Sequence, residues 1–469
     1  MAKVFLLDLQ KDRWKTSFYY GENRLDPIYL GYLGAYLQNQ GHEVEIFQQR
    51  GESTDEVVSR VCGFSPDLVG FSAFTFNFNA SKNFARELKK LNPKIKTVFG
   101  GYHPSALPMD CLEEEGIDFV AVGEGEETLV ALAASFNSEK KKDFQNILSL
   151  GFKEDGKPIL NPRRPRIKDL DSLPFPLRYG LEDCKMGNPM LPIPQEQKSF
   201  AQITYSRGCY HQCTFCASPL IWQRQVFHRS PKNLVDEIEF LQNRYGTNAL
   251  FFTDLTFNAD ERKAEELCDE IQRRKIKINW SAACRVTDNL TLLRKMRESG
   301  CIRIALGVES LDDNVTQSLD KGINAQDVYD CFEAANQLGM IARAYLMIGY
   351  PGENEESIRR TKQRLKNLAA DNLGIAILTP YPGTPLYEQM LSDGMIENAD
   401  LDDYDAEHPI IKTCLTPQRL IEARDEILSE YYSSPEYKKR IQDKTRKFPE
   451  LKPAYESFNR DVEKSLSAR

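Results

Sequence analysis

The stretch of sequence that decides the fold is SRGCYHQCTFCA at residues 206–217, which continues from the apolar run AQITYS at 201–206. Cys209, Cys213 and Cys216 follow the spacing C-x3-C-x2-C within it. Three thiolates this close together can each bind one iron of a [4Fe–4S] cluster, because soft sulfur ligands favour iron–sulfur assembly. The next cysteine, Cys268, lies far downstream, so the fourth iron is left for an external ligand. This pattern indicates a catalytic cluster rather than a structural one.

A zinc site in a structural protein is the alternative interpretation of the same cysteines, with His211 or His228 as the fourth ligand. His211 lies two residues from Cys209 and two from Cys213, which makes simultaneous tetrahedral ligation awkward. The sequence therefore favours an iron–sulfur cluster over zinc.

The cysteine stretch resembles the signature of radical S-adenosylmethionine (SAM) enzymes, C-x3-C-x-Φ-C, with Phe215 in the aromatic position. The resemblance implies that the amino and carboxylate groups of SAM bind the fourth iron. It also implies that an electron, supplied by a donor such as flavodoxin or ferredoxin, passes through the cluster and cleaves SAM to a 5′-deoxyadenosyl radical. Cys209, Cys213 and Cys216 are thus predicted to be both catalytic residues and metal ligands.

Alternating strands and helices downstream of the cysteines predict a partial (β/α)6 barrel. Strands are expected near 249–253, 278–283, 302–307, 343–349 and 374–379, and helices near 231–245, 260–274, 288–299, 325–338 and 355–370. The cysteine-bearing strand completes the six units. The active site of such a barrel lies at the carboxyl ends of its strands. The radical SAM resemblance covers about 200–390.

Polar residues at those strand ends are the predicted SAM contacts, as the resemblance implies. They are Thr253, Asp254, Arg285, Glu309, Ser310, Gly349 and Tyr381. The end of the second strand is where the family holds the SAM amino group, and Asp254 adds a carboxylate there. Arg285 could pair with the SAM carboxylate, since arginine suits planar bidentate contacts. Glu309 is placed to meet the ribose or the methionine part, and Tyr381 lies where adenine usually rests.

Residues 1–135 alternate short apolar runs with helical patterns, which predicts a doubly wound parallel sheet. The apolar runs lie at 4–9, 43–47, 67–72, 96–101 and 118–123. Ligands of such sheets bind outside the carboxyl ends of the strands. Small residues follow the strands there, namely Ser72, Thr75, Gly100, Gly101, Gly123 and Gly125.

The ordered pair GGYHP at 100–104 and GEGEET at 123–128 resembles the cobalamin-binding domain of many radical SAM enzymes. The match covers roughly residues 3–135. It implies that the loops after the fourth and fifth strands, with His103, Glu124 and Glu126, cradle the cobalamin tail. No D-x-H-x-x-G motif occurs. His103 is therefore predicted to contact the tail or to pack, rather than to bind cobalt.

The chain divides into four predicted segments. The cobalamin-binding domain at 1–135 is followed by a proline-rich linker at 136–198, the barrel at 199–395 and a helical segment at 396–469. NPRRPR at 161–166 and the basic run at 438–447 are interpreted as solvated segments rather than nucleic-acid sites. The amphipathic stretch at 416–432 is expected to close the open side of the barrel or to line the substrate entrance.

Composition sets the class of protein. The chain has 469 residues, of which 41% are hydrophobic, and a net charge of −8, which disfavours binding to a phosphate backbone by charge. No apolar run is long enough to span a bilayer. Eleven cysteines without a secretory signal indicate a reducing, cytoplasmic location. We expect an α/β enzyme with no nucleic-acid partner.

The predicted function is that of a cobalamin-dependent radical SAM enzyme acting on a small molecule. In the commonest version, as the resemblance implies, the deoxyadenosyl radical abstracts hydrogen from an unactivated carbon, which then takes a methyl group from methylcobalamin. Ring contraction, cyclisation or transfer of another part of SAM stay open, with cobalamin in a different role or absent. A tRNA methylthiotransferase is disfavoured, because the N-terminal cysteine cluster of that family is missing. A cobalamin-sensing module is disfavoured by the intact cysteine triad. The substrate itself is not predicted.

Overall fold

The computed structural model describes residues 1–9, 26–136, 143–181, 200–312, 315, 321–398 and 400–467. Cys184 and the prolines at 189, 192 and 194 of the predicted linker lie outside these residues.

Two large sheets and one antiparallel two-stranded sheet, β9–β10, organise the described part of the chain. Its strands are β1 Lys3–Asp8, β2 Glu43–Gln48, β3 Leu68–Ser72, β4 Lys96–Gly100, β5 Phe119–Ala121, β6 Leu150–Glu154, β7 Lys157–Leu160, β8 Phe200–Ile203, β9 Ser206–Arg207, β10 Phe227–His228, β11 Ala249–Phe252, β12 Asn279–Cys284, β13 Cys301–Glu309, β14 Ile341–Ile348 and β15 Asn372–Ile377. Its helices are α1 Ile28–Asn39, α2 Thr54–Phe64, α3 Phe78–Leu91, α4 Tyr102–Ala106, α5 Pro108–Glu113, α6 Glu126–Ser135, α7 Ser218–Trp222, α8 Pro231–Tyr245, α9 Glu261–Arg273, α10 Leu290–Glu298, α11 Ala325–Gln337, α12 Glu355–Leu365, α13 Pro385–Ser392, α14 Pro417–Ser433, α15 Pro435–Lys447 and α16 Lys452–Ser467.

The first sheet has the strand order β2-β1-β3-β4-β5-β6-β7, and its first five strands are parallel. Helices α1 and α6 cover one face through Leu30 and Leu132, and α2 and α3 cover the other through Val61 and Leu88. Burial on both faces explains why these strands are continuous apolar runs. The predicted doubly wound sheet is confirmed.

Residues 150–160 differ from the predicted linker, because they form an antiparallel hairpin, β6–β7, on the edge of the first sheet. Asp155 and Gly156 connect the strands with φ of 50° and 78°. Two successive positive φ values define the tight turn that Asp-Gly pairs favour, since that turn matches the strand twist. The Asp-Gly pair was the sequence signal for this hairpin.

The second sheet has six parallel strands in the order β15-β14-β13-β12-β11-β8. One face of each strand packs on helices α8 to α12, as Leu250, Ile304 and Leu306 do. The predicted partial barrel is confirmed, and its remaining face lines the interior.

Helices α14 to α16 pack on the barrel through apolar residues that include Leu420 and Ile427. Lys444, from the basic run at 438–447, is buried rather than solvated. Its Nζ donates to Asp371 Oδ2 and to the Met340 carbonyl, each at 2.6 Å. No helix of the described residues is both long and apolar enough to cross a membrane.

Candidate functional site

A cavity lies where the carboxyl ends of the first sheet face the barrel. Its empty space is about 1390 Å³, including the part open to solvent. Seven of the residues predicted to bind cobalamin line it, namely Ser72, Gly100, Gly101, Gly123, Glu124, Gly125 and Glu126. The barrel contributes Gln202, Thr204 and Arg207, together with the predicted SAM contact Thr253. The two domains therefore share one cavity.

The cavity has a lining that suits a large, flat cofactor such as cobalamin. Its first-domain wall combines strand-end glycines with apolar side chains such as Leu6, Val98 and Leu129. A wall of this kind lets a broad, flat ring approach the backbone closely.

Gly101 occupies a position that requires glycine. Its φ is +105°, and a Cβ at this position would lie 2.7 Å from the carbonyl oxygen of Ala73. A side chain here would be strained and would also push the two loops apart.

We expect Gly101→Ala to lower the free energy of unfolding by about 1–3 kcal/mol, because it adds backbone strain, and to weaken cobalamin binding. Urea titration and cobalamin titration followed by absorbance measure the two effects. Gly156→Ala is the matched control, since Gly156 also has a positive φ, +78°, but nothing lies within 4 Å of its Cβ position. Equal loss of cobalamin affinity in both variants would contradict the assignment.

Thr75 and His103 do not line the cavity, although both were predicted to contact cobalamin. His103 is buried, its Nδ1 lies 3.3 Å from Thr75 Oγ1, and its ring centroid lies 4.2 Å from that of Phe78. This geometry agrees with the second of the two predicted roles of His103, in which the ring packs inside the domain. Burial, and secondarily the charge of Lys82, lowers the pKa of His103 to about 4.

The depressed pKa of His103 predicts a loss of stability in mild acid. Its pKa in the folded protein, about 4, lies below the ordinary 6.5. The buried neutral imidazole therefore contributes its full share to the free energy of unfolding above pH 6.5, and this share is lost as the pH falls towards 4. Between pH 7 and 4.5 the loss is about 2–3 kcal/mol. Urea titrations should show His103→Gln losing correspondingly less than the wild type. A variant as acid-sensitive as the wild type would refute this; His408→Gln is the control, with its side chain 43% exposed.

Glu124 and Glu126 point to the barrel and form buried ion pairs. Arg207 Nη1 lies 2.7 Å from Glu126 Oε1 and 3.2 Å from Glu124 Oε1, and Arg166 Nε lies 2.7 Å from Glu124 Oε2. These side chains were predicted to contact the cobalamin tail, but their carboxylates bind arginines of the barrel and of the connecting segment. Arg166 belongs to NPRRPR and is buried, whereas Pro162, Arg163 and Pro165 of the same stretch are exposed as predicted. Its guanidinium also donates to the Trp222 carbonyl at 2.7 Å.

A second buried ion pair network joins the domains beside the first. Arg178 Nη1 lies 2.8 Å from Asp26 Oδ2, and its Nη2 lies 2.6 Å from Glu237 Oε1. Arg229 also pairs with Glu237. All four side chains are at most 4% exposed, so the charges compensate one another away from water.

The cysteine loop follows β9, directly after Arg207. Cys209, Cys213 and Cys216 are free and partly exposed. The Sγ of Cys209 lies 3.7 Å from Thr256 Oγ1, and the Ser218 amide lies 3.5 Å from the Sγ of Cys216. Within the described ranges, no three His, Cys, Asp or Glu side chains converge on a single metal ion. Three thiols on one loop instead fit a multi-iron cluster, in which each thiolate binds a different iron.

The aromatic residue of the cysteine motif packs into a cluster at the top of the barrel. Phe215 contacts the group formed by Tyr350, Leu378 and Met390, which Tyr381 also joins. The Leu386 amide donates to the carbonyl of Thr214, next to Phe215, at 3.1 Å. The structure thus brings the predicted residues Phe215 and Tyr381 together.

Two cationic side chains stand next to the cysteine loop. The Arg285 backbone is held by Asn258, whose Oδ1 accepts from the Arg285 amide at 2.8 Å and whose Nδ2 donates to its carbonyl at 3.1 Å. Lys321 is 7% exposed and was missed by sequence reasoning. Burial, followed by the charges of Arg285 and Lys321, lowers the pKa of His211 to about 4.

Glu309 ends β13 in a strained conformation, with φ of 65°. Its Oε1 lies 2.5 Å from Lys321 Nζ, which also donates to the Gly307 carbonyl at 2.7 Å. Positive φ is uncommon in residues other than glycine. The pair with Lys321 holds the Glu309 carboxylate at the strand end.

Asp254 is buried beneath the cysteine loop instead of facing it. Its Oδ1 accepts from the amide and hydroxyl of Ser206 at 2.6 and 2.5 Å, and its Oδ2 accepts from the Tyr205 amide at 3.1 Å. Burial raises its pKa to about 6, against these hydrogen bonds. The carboxylate predicted to contact SAM is therefore engaged in holding the strand that leads into the loop.

The other predicted SAM contacts lie at the strand ends. Ser310 is buried, and its Oγ accepts from the Asp312 amide at 3.0 Å. Gly349 has φ of 92°, and its amide donates to Glu353 Oε2 at 2.5 Å. Glu353, which sequence reasoning missed, is buried, and burial raises its pKa. The hydroxyl of Thr384 donates to the Tyr381 carbonyl at 2.7 Å.

Comparison with known proteins matches the two domains separately. The B12 binding domain family matches residues 21–133, and the Radical SAM superfamily matches residues 203–365. An uncharacterized methyltransferase of Pyrococcus horikoshii is 30% identical over 390 residues, covering 82% of this chain and 83% of that protein. The anaerobic magnesium-protoporphyrin IX monomethyl ester cyclase of Rubrivivax gelatinosus is 27% identical, covering 82% of this chain and 70% of the cyclase.

A solved structure shares the fold across both domains. The radical SAM methyltransferase TsrM from Kitasatospora setae, with cobalamin and a [4Fe–4S] cluster bound, superposes with a TM-score of 0.68 at 19% identity. The alignment covers 84% of this chain and 78% of TsrM. The chain belongs to the family of cobalamin-binding radical SAM enzymes, with cobalamin, a [4Fe–4S] cluster and SAM as its cofactors.

Proposed function

We propose that this enzyme transfers a methyl group from SAM to an unactivated carbon of a small molecule. The observation that carries the proposal is the shared cavity, in which the strand-end glycines of the first domain face the strand that leads into the cysteine loop. Arg207 ties these two parts together, because it pairs with Glu124 and Glu126 and stands two residues before Cys209. The similarity to a methyltransferase supports the same conclusion.

The bound cofactors supply the radical and methyl-transfer chemistry, and the protein supplies binding, orientation and exclusion of water. Cys209, Cys213 and Cys216 would hold the cluster. Arg285 and Lys321 are the cations available to the SAM carboxylate, and arginine can bind it in bidentate fashion.

The remaining side chains of the strand ends would position SAM and keep the site dry. Glu309 presents its carboxylate at the end of β13, where it can accept hydrogen bonds from ribose hydroxyls. Phe215 and Tyr381, packed in one apolar cluster, exclude water and offer a surface for adenine. Thr253 lines the shared cavity, and its hydroxyl lies 2.7 Å from that of Thr204.

Formation of S-adenosylhomocysteine tests methyl transfer without knowledge of the substrate. The anaerobically reconstituted enzyme is incubated with SAM, a reductant and a small-molecule extract, and the SAM products are quantified by mass spectrometry. We expect both S-adenosylhomocysteine and 5′-deoxyadenosine, because one SAM donates the methyl group and another the radical. Substrate-dependent 5′-deoxyadenosine without S-adenosylhomocysteine would refute methyl transfer.

Cyclisation is the second candidate, favoured by the similarity to the Rubrivivax gelatinosus cyclase over 82% of this chain. A cyclase consumes SAM as a radical source without donating its methyl group. The experiment above distinguishes the two functions, because only methyl transfer yields S-adenosylhomocysteine.

We further propose that flavodoxin or ferredoxin donates the electron in a reducing cytoplasm. The partly exposed cysteines and the exposed Tyr210 beside them support access for such a donor. The free cysteines of the described residues support the location.

We propose the segment boundaries 1–135, 136–198, 199–395 and 396–469 as well, with the β6–β7 hairpin as an extension of the first sheet.

A further inference from the structure

The interior wall of the barrel carries polar side chains below the strand ends. Alternate residues of β13 face opposite sides of the sheet. Ile304 and Leu306 belong to the core against the helices. Arg303, Ala305 and Gly307 therefore line the interior, on the same face as Glu309.

Four polar residues form an arginine layer on this interior wall that spans two successive interior positions. Ser281 of β12 pairs in register with Arg303, and Arg343 of β14 pairs in register with Ala305 of β13 and with Asn372 of β15. All four polar residues are buried. Two arginines are thus placed on neighbouring strands, with Arg303 opposite Ile341 and Arg343 one interior position closer to the strand ends.

Arg303 is a buried cation of this layer that has no anionic partner among the described residues. It is 2% exposed, and within the described residues it forms no ion pair, while its Nε lacks a hydrogen-bond partner. Ser281 Oγ and Asn372 Oδ1 also lack partners among those residues. Burial, followed by the positive charge of Arg343, lowers the pKa of Arg303 to about 9. A buried guanidinium without an anion is costly, so the layer calls for a negatively charged ligand.

The interior residues between this layer and the strand ends are mostly small. Along the strands of the four residues, the next interior positions towards the strand ends are Ala283, Ala305, Tyr345 and Gly374; Ala283 and Tyr345 are partly exposed, and Ala305 and Gly374 are buried. Three of these four are small, so few side-chain atoms occupy the barrel interior between the layer and the strand ends. From Arg303 to Glu309 the strand rises about 20 Å, at roughly 3.3 Å per residue. A small molecule at the strand ends can therefore extend one end down to the arginine layer.

We propose that Arg303, with Arg343 beside it, binds an oxyanion of the substrate, and that the substrate is a small molecule carrying a carboxylate or phosphate. The guanidinium binds both groups in bidentate geometry. Ser281 contributes a hydroxyl that can donate to the same oxyanion. The reacting carbon stays near the strand ends while the charged end is anchored below. This assignment rests on the proposed function, which it deepens by naming the substrate class.

Calorimetric titration of the reconstituted enzyme with inorganic phosphate and with acetate, at constant ionic strength in chloride, tests the site. We expect at least one of them to bind and Arg303→Met to weaken that binding at least tenfold. Arg303→Lys keeps the positive charge but loses the bidentate guanidinium. Its affinity for the oxyanion should fall between those of the wild type and Arg303→Met. Arg262→Met is the control, because the Arg262 side chain is 80% exposed. If neither anion binds the wild type, or if both proteins bind the anion equally well, the proposal is overturned, and water rather than an oxyanion would solvate the arginine layer.

Two further measurements keep the test independent of folding and of the proposed function. Removing an uncompensated buried charge is expected to leave the unfolding midpoint of Arg303→Met no lower than that of the wild type. A clear fall would mean that a carboxylate of the chain pairs with Arg303, and would overturn the proposal. Substrate-independent cleavage of SAM should be unchanged in the variant. If the wild type binds oxyanion but never cleaves SAM, the proposed function fails while the oxyanion site stands.

Discussion

Replacing Cys213 by alanine is expected to abolish 5′-deoxyadenosine formation, reducing it to the level without enzyme. The substitution removes one of the three thiolates, so one iron of the cluster loses its only protein ligand and the cluster is no longer held. Cys213 lies in a loop of the barrel, whereas the cobalamin cradle is built mainly by the first sheet. We therefore expect the variant to lose iron and still bind cobalamin.

Metal analysis and product analysis of the purified variant check this expectation. Cys414→Ala is the matched control, because Cys414 is a free, exposed cysteine outside the loop. The control should retain its iron and its activity. A Cys213→Ala enzyme that keeps a full iron content and cleaves SAM would show that the cluster is bound elsewhere.

Replacing Arg207 by methionine is expected to lower the free energy of unfolding by about 3–5 kcal/mol, the cost of breaking a buried ion pair. The change leaves Glu126 uncompensated at 4% exposure. Glu124 keeps its ion pair with Arg166, so Glu126 is the carboxylate that loses its charge partner. Because these carboxylates line the shared cavity, cobalamin affinity should fall as well.

A double-mutant cycle separates the ion pair from general packing effects. Adding Glu126→Gln to Arg207→Met should restore part of the lost stability, since the uncompensated charge is removed. Arg262→Met, on an exposed side chain, should leave the urea midpoint nearly unchanged. Equal stability of wild type and Arg207→Met would show that the pair does not hold the domains together.

The architecture and the cysteine loop could be predicted because their signals are local. Apolar strands recur with helices between them, and the triad lies within eight consecutive residues. The β6–β7 hairpin was missed although Asp155–Gly156 is also a local signal, because the surrounding prolines suggested an extended segment.

The partners of charged side chains could not be predicted from the sequence. Arg166 meets Glu124 across 42 positions, so nothing near NPRRPR indicates that it is buried. Asp254 follows a strand in the position of a ligand, yet its oxygens accept from Tyr205 and Ser206 of a neighbouring segment. The pairing of Lys321 with Glu309 likewise depends on a fold-wide arrangement.

The metal content of the anaerobically reconstituted protein tests the central claim most directly. The chain is expected to bind about four iron atoms at its three cysteines and one cobalt as cobalamin in the shared cavity. Iron, cobalt and zinc are measured together by mass spectrometry, and the absorbance spectrum identifies the cluster. About four iron atoms with stoichiometric cobalt is the predicted result. Iron without cobalt would contradict the shared cobalamin cavity, and zinc without iron would contradict the radical enzyme itself.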